Sequence, residues 1–470
     1  MSVRRPLMRT PDTRAWRNAA TWAIGITVCA AALLDGFAAR AQGGELSVAV
    51  FRVDATPPLG SPVAYGPARK IEDPLSARGI VLLGAGKPVV LCAVDWIGIG
   101  NSGHDEWRAK LAEAAGTTPD RVAVHTLHQH DAPRCDFAHE EILASIGLGG
   151  TRYDVEFARR TIRETAAAVR QAVREPSRVT HLGVGRAVVE KVASNRRILG
   201  PDGKVVLTRM SSCRNPEAVA APEGVIDPVL RMLSFWDQDR PIVCLSYYAT
   251  HPQSHYGQGH VTADFVGLAR AQRETELSGL PHIHFNGAGG NVAAGKYNDG
   301  SPAARAALTE RMVEALRKAR EATAKRPVDA QDVEWRVVRA KLPPAEHLHA
   351  ETLRRTLADP AAERIRAAGQ LAFLERVQRG HEFELSCLRV KDAYVLHMPG
   401  ELFVEYQLAA QRMKPEATVC MAAYGDYGPW YIGTEIAYRQ GGYETGRTVS
   451  NVAPQVEGVL MQGLRELLKD

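Results

Sequence analysis

No Cys-x-x-Cys pair occurs in the 470 residues, so a thiolate zinc finger is excluded on spacing alone. The chain's glycine-rich stretch, 286–295, lacks the Gly-x-x-x-x-Gly-Lys-Ser/Thr spacing of a P-loop. Beyond residue 41 no apolar run approaches the roughly 20 residues that a membrane-spanning helix needs, so no stable span is expected there. Internal repeats and low-complexity tracts are absent. Neither sign of charge dominates: net charge is +5, and the first 41 residues, with six Arg and two Asp, carry +4 of it. The remaining +1 gives no footprint for nucleic acid. Aromatic residues are few, at 6%, while 45% hydrophobic and 24% charged content is that of a folded globular chain.

The basic excess sits in a leader. Arg4 to Arg17 form a basic region, Ala19 to Leu34 carry no charge, and Ala39-Arg-Ala41 is an A-x-A cleavage site. Val3 to Met8 resemble a twin-arginine signal. Residues 1–41 are therefore expected to be a signal peptide, and 42–470 an exported catalytic domain, periplasmic or extracellular. Of seven cysteines, Cys29 leaves with the leader. Cys92 and Cys244 lie in apolar runs and are expected to be buried thiols. Cys135 and Cys213, in polar segments, are candidates for a disulfide.

Short β-branched runs at 78–84, 88–95, 121–126, 229–236, 241–249, 281–286, 382–397 and 416–424 alternate with helical segments. The helices are expected at Ser102–Ala115, with Ser102 as N-cap, and at Asp154–Glu175, Ala263–Leu277, Pro302–Lys325, Glu401–Lys414 and Ala453–Lys469. This alternation predicts an α/β fold with mixed, largely parallel sheets flanked by helices, in a single domain. The Ala-, Arg- and Glu-rich stretch 343–380 is expected to be a solvated helical insertion.

Several apolar runs end in polar clusters: "VAVHTLHQHDAP", "CLSYYATHPQSH", "HIHFNGAGGNVAAGKYNDG", "YVLHMPGE" and "CMAAYGDYGPWYIG". Ligands of open α/β sheets bind outside the carboxyl ends of the strands, so these five ends are expected to converge on one pocket. His128 and His130, two residues apart, can address one site in extended chain, although His282-Ile-His284 repeats that pattern elsewhere. His251 adds another imidazole. Glu401 is either a metal-binding carboxylate or a first-turn carboxylate favoured by a helix dipole. Asn286–Gly295 is either an anion cradle or a tight turn. Tyr424, Tyr427, Trp430, Tyr431, Tyr438 and Tyr443 are either packing or a pocket wall.

Taken together, "RVDATPP", "HQHDAP", "SNRR", "THPQS" followed by Asp264, "MPGE" and "WYIGTEIAYRQGGYE" resemble, in order, segments of the N-terminal catalytic region of the neutral/alkaline ceramidases. These are zinc-dependent hydrolases that cleave the amide of N-acyl sphingosine. The resemblance spans about residues 48–450 and does not extend to that family's C-terminal β-sandwich domain. It implies Zn2+ held by His128, His251, Glu401 and Tyr431, with His130, Arg196 and Tyr443 facing substrate. Two departures stand out: the family's active-site serine falls at Ala293, and its neighbouring Asp at Asn291.

The expectation is thus an exported zinc-dependent hydrolase of amide or ester bonds. With no serine at 293, water activated by the metal is the nucleophile. His130 or Asp131 is expected to move the proton, Arg196 and Tyr443 to stabilise the oxyanion, and Asn286, Asn291 and Lys296 to shape a pocket for a small-molecule or lipid-like substrate. Two alternatives remain. One is a metallo-phosphoesterase with a second metal at His125, Asp131 and His284. The other is a non-catalytic lipid- or glycan-binding protein on the same scaffold.

Overall fold

The computed structural model describes residues 45–469, so the expected leader lies outside the described residues. The first sheet contains β1 (Ser47–Asp54), β2 (Ser76–Gly84), β3 (Gly86–Val94) and β4 (Val122–Thr126), in that order. The second contains β5 (His181–Val188), β6 (Val229–Asp237), β7 (Arg240–Tyr248), β8 (His282–Asn286) and β9 (Ala324–Pro327), ordered β8-β7-β6-β5-β9. The third contains β10 (Val333–Ala340), β11 (Phe383–Val390), β12 (Ala393–His397) and β13 (Thr418–Ala422), also in chain order.

The three sheets share one construction. Each has an antiparallel hairpin, β2–β3, β6–β7 or β11–β12, whose second strand gains a parallel neighbour after a helical crossover. The crossovers are α1 (Asn101–Ala115), α3 (Asp264–Glu276) and α7 (Val404–Met413). Of the helices that flank the sheets, α2 (Val155–Ala172) falls between the first two crossovers in sequence, and α4 (Pro302–Glu321) between the second crossover and the third sheet. The expected largely parallel sheets are corrected here: one pairing per large sheet is parallel and the others are antiparallel. The cause lies in the turns. Gln238-Asp239 and Lys391-Asp392 are two-residue connections, with Gln238 and Lys391 at φ of 54° and 55°, and so short a loop can join only antiparallel strands.

The strands β4, β8 and β12, each in a parallel pair, are buried along their whole length, and the added strand β13 is buried after Thr418, as continuous apolar runs of a covered sheet should be. Leu82, Leu91, Leu245, Phe285, Leu388 and Val395, drawn from all three sheets, share one hydrophobic cluster. Outer strands read differently. β10, "VEWRVVRA", is mostly half-exposed and interrupts its apolar residues with charges.

Some boundaries also shift. Helix α1 is capped by Gly100 without a side-chain bond, so Ser102 is not its N-cap. Glu401 does not open a helix; Glu401-Leu402 pairs with Tyr431-Ile432 in parallel, and α7 begins three residues later. The 343–380 stretch is helical, as α5 (Ala350–Ala358) and α6 (Arg364–Gln378), but α6 buries Ala367 to Leu374 and docks through Arg376 on Asp105 and Asp426 rather than being solvated. Cys135 and Cys213 are both free. Cys135 packs against α1 at Gly103, whereas Cys213 hydrogen-bonds through its backbone to Asn298. Among the described residues no helix is long and apolar enough to cross a membrane.

A buried ion pair joins the first sheet to α3. Asp95, just past β3, accepts 2.9 and 2.7 Å bonds from Arg270 of α3 and two more from Ser76. Burial alone would raise the Asp95 carboxyl, but Arg270 outweighs it and holds the pKa below the ordinary value. Asp95→Asn leaves that guanidinium uncompensated and should cost about 3–5 kcal/mol, read from the urea midpoint. A carboxyl depressed on folding stabilises above its unfolded pKa, about 3.9. The difference between variant and parent should therefore persist down to about pH 4 and close as the pH falls through the lowered value. An unchanged midpoint at neutral pH would contradict this role.

Candidate active site

Each doubled sheet end delivers part of one site. Past β4 the chain brings His128, past β7 His251, past β12 Glu401, and past β13 Tyr431. His128, His251 and Glu401 are all buried, and their ligand atoms lie within 4.8 Å of one another. Glu401 Oε2 is 3.2 Å from His128 Nε2 and 3.1 Å from His251 Nε2, and the Tyr431 hydroxyl is 3.3 Å from His251 Nε2.

The backbone settles which nitrogens face inward. His128 Nδ1 lies 2.8 Å from the Ile97 carbonyl, and His251 Nδ1 lies 2.7 Å from the Gly289 carbonyl. A carbonyl can only accept, so each Nδ1 carries the proton and, in the neutral ring, Nε2 is a bare lone pair. Burial presses His251 toward that neutral form. Both nitrogens then face a carboxylate oxygen at hydrogen-bond distance, an arrangement that repels itself unless positive charge lies beside them; the protein supplies Arg196, whose Nη1 is 3.3 Å from His251 Nε2, and no such partner at His128 Nε2. Imidazole, carboxylate and phenol oxygen are suitable donors for zinc, and the Nδ1–carbonyl contacts are the outer shell such ligands ordinarily have. The donor set fits a metal.

The surroundings hold this geometry at some cost. His128, Tyr424 and Trp430 adopt left-handed backbone with φ of 62°, 59° and 57°, a conformation that non-glycine residues adopt only when packing imposes it. The Tyr424 ring stacks on His128 at 4.8 Å, and the Tyr427 hydroxyl donates to Glu401 Oε1. Asn286 ties the sheet ends together. Its Nδ2 donates to the Leu127 carbonyl, its Oδ1 accepts from Thr250 N, and its own carbonyl accepts from Ala423 N.

The remaining expected residues divide. His130 joins the cluster, with Nε2 3.2 Å from His128 Nε2 and Nδ1 2.6 Å from the Tyr65 hydroxyl; burial pushes its pKa well down, keeping it neutral. Arg196 donates to the Tyr431 hydroxyl at 3.0 Å, pairs with Glu444, and lies 5.4 Å from the Tyr443 ring centroid. Tyr443 lines a cleft of about 370 Å³ that also exposes His130, Glu401 and Tyr431. Asp131, Asn286, Asn291 and Lys296 do not line that cleft. Asp131 turns to the loop after Tyr256, accepting from Gly257 N. Asn291 accepts from Val404 N and donates to Glu405, pinning the start of α7. Lys296 Nζ donates to the Val219 and Ala221 carbonyls, so its ammonium is engaged away from any substrate. Ala293 is fully buried beside His251, in a short strand paired with Ser194.

The cleft also exposes residues that no motif marks, among them Tyr65, Arg134 and Arg152, and Tyr427, a candidate for the pocket wall, donates to Glu401 as well. Arg134 directly follows "HQHDAP", which was signal enough to notice it. Nothing in the local pattern marks Tyr65 or Arg152.

Three sheets that bring imidazoles and a carboxylate to one buried centre form a ceramidase-like fold. The structure of neutral ceramidase from Pseudomonas aeruginosa matches it with a TM-score of 0.67 and 16% identity, over 90% of this chain and 74% of that one. A ceramidase complexed with C2 matches with a TM-score of 0.62, at the same identity and coverage. No family model matches the chain. No curated protein matches it either.

Gly290 exposes how tightly the site is built, since a Cβ there would stand 2.3 Å from the Glu401 carbonyl oxygen. Gly290→Ala should therefore displace Glu401 and lower the metal content of the purified protein. Gly458→Ala, on the helix α8 (Val456–Leu467) with open space around it, is the control. It should keep its metal and gain about 0.5–1 kcal/mol of stability. Equal metal content in the two variants would contradict the proposed crowding.

Proposed function

We propose that the protein is a zinc-dependent hydrolase, similar to neutral ceramidase, that cleaves an N-acyl amide or an ester with water. The observation that carries this reading is the buried group of bare imidazole nitrogens facing a carboxylate at the floor of an open cleft. His128, His251, Glu401 and Tyr431 would hold the zinc. When bound there, zinc supplies a Lewis acid and lets water ionise near neutral pH. The exported location rests on the expected leader.

The chain's own residues supply the rest. His130, in the tautomer whose Nδ1–H donates to Tyr65, presents a free Nε2 that can take the proton water gives up and return it to the leaving amine. Tyr65 fixes the ring. Tyr443, on the cleft wall with the Arg196 guanidinium behind its ring, is placed to donate to the oxygen that gains charge as the carbonyl is attacked. Arg196 holds the Tyr431 hydroxyl toward His251 and is itself held by Glu444. Thr448 is the only aliphatic hydroxyl among the described cleft-lining residues, and Ala293 offers none, so attack by water is favoured over a serine nucleophile.

The phosphoesterase alternative called for a second metal at His125, Asp131 and His284. Those residues are apart: His125 Nδ1 is on the Ala423 carbonyl, and His284 is on the Ser246 hydroxyl. Among the described residues only one cluster has metal-ligand geometry. The single-metal amide or ester hydrolase is the better supported reading.

A panel of N-acyl amides and esters with zinc-replete protein tests it. Glu401→Gln should abolish turnover. His130→Ala should keep the metal yet lose about 10²- to 10⁴-fold in kcat/KM, the usual range for a missing general acid–base. Full activity in either variant would sink the assignment.

A further inference from the structure

The cleft that opens on Glu401 and Tyr431 carries more positive charge than the His128–His251–Glu401 group explains. Arg134 and Arg152 both line it, and among the described residues neither forms an ion pair. Arg134 has one hydrogen bond, from Nη1 to the Ala64 carbonyl at 3.1 Å, and Arg152, which meets the neutral Tyr153 phenol, has its Nε buried with no partner. The other charged groups of the cleft are occupied. Arg366 faces Glu363 at 3.6 Å, and Glu401 lies between the two imidazoles and Tyr427. His139, beside them, has its ring nitrogens on the Tyr153 hydroxyl and the Ile365 carbonyl. Burial and the nearness of Arg152 press the Arg134 pKa down to about 10, a strain that an anion between them would relieve.

Unpaired guanidiniums in a partly desolvated cleft are costly unless a ligand supplies the countercharge. A planar, five-donor group matches a carboxylate in two-point geometry. At about 370 Å³ the cleft is within the range of small-ligand sites, about 300–1,000 Å³. We propose that Arg134 and Arg152 hold a carboxylate carried by the substrate, so that the bond cleaved belongs to an N-acyl amino acid or similarly acidic acyl amide. This rests on the hydrolase reading above but makes a separate claim, since a neutral acyl amide would leave both guanidiniums unmatched.

The test compares N-octanoylglycine with its neutral primary carboxamide and with N-octanoylethanolamine phosphate, using the zinc-replete full protein. Hydrolysis of the first consumes one water and releases octanoate and glycine. Wild type should favour the free acid over the carboxamide by at least about tenfold in kcat/KM, the worth of one good hydrogen bond to a charged group. In Arg134→Gln/Arg152→Gln the ratio should fall toward one, with zinc content and thermal transition retained. If that variant loses its zinc, Arg134→Lys and Arg152→Lys, which keep the charge but not the fork, carry the same readout. Equal rates on acid and carboxamide, a preference that survives in the variants, or a preference for the phosphate would each overturn the carboxylate site. Calorimetry separates the two claims. If wild type binds the acid through the arginines but cleaves nothing, the carboxylate site stands and the hydrolase reading falls. If neither ligand binds nor is cleaved, the carboxylate site falls.

Discussion

Two buried imidazole nitrogens, each within hydrogen-bond distance of one carboxylate oxygen, repel it unless something positive joins them. Much of the architecture follows from that constraint. The ring orientations are set by backbone carbonyls at Ile97 and Gly289, which take the Nδ1 protons and leave the other nitrogens bare. Those carbonyls are fixed in turn by strand ends from different sheets. A cluster whose one neighbouring guanidinium, Arg196, reaches only His251 and Tyr431 persists in a folded chain only if the scaffold is rigid enough to hold it, and the three-sheet core supplies that rigidity.

The threefold construction explains how distant segments meet. Each hairpin with its crossover ends in a pair of parallel strands whose carboxyl ends point to the same place. His128 and Glu401 are 273 positions apart in sequence yet 3.2 Å apart in space. Asn286 links the ends of all three sheets through side chain and backbone. The left-handed backbone at His128, Tyr424 and Trp430 lies around the same centre, where strain is tolerated because surrounding packing dictates it.

How much of this was legible in the sequence depends on the kind of signal. Strands buried on both faces, such as "VAVHT" and "HIHFN", announce themselves as apolar runs, and the polar residues that follow them marked the site. Strand direction did not follow from the alternation of strands and helices, because it is set by two-residue turns such as Lys391-Asp392 that carry no glycine to mark them. The half-exposed β10 has charges on its outer face and little apolar signal. Asp131, Asn291 and Lys296 have the chemistry of site residues and lie beside or within a motif. The structure turns each toward a backbone group instead, and sequence does not show which way a loop side chain points. Arg134 and Arg152 had the reverse problem: arginines are usually solvated, and only the absence of a carboxylate partner singles these out.

Elemental analysis of the purified protein, with His251→Ala alongside, tests the central claim most directly. The account predicts close to one zinc per chain in the parent protein and its loss in the variant, with the fold retained. Parent protein that folds normally and takes up no zinc from a zinc-replete medium would contradict it, because the bare nitrogens around Glu401 would then have no cation to join them.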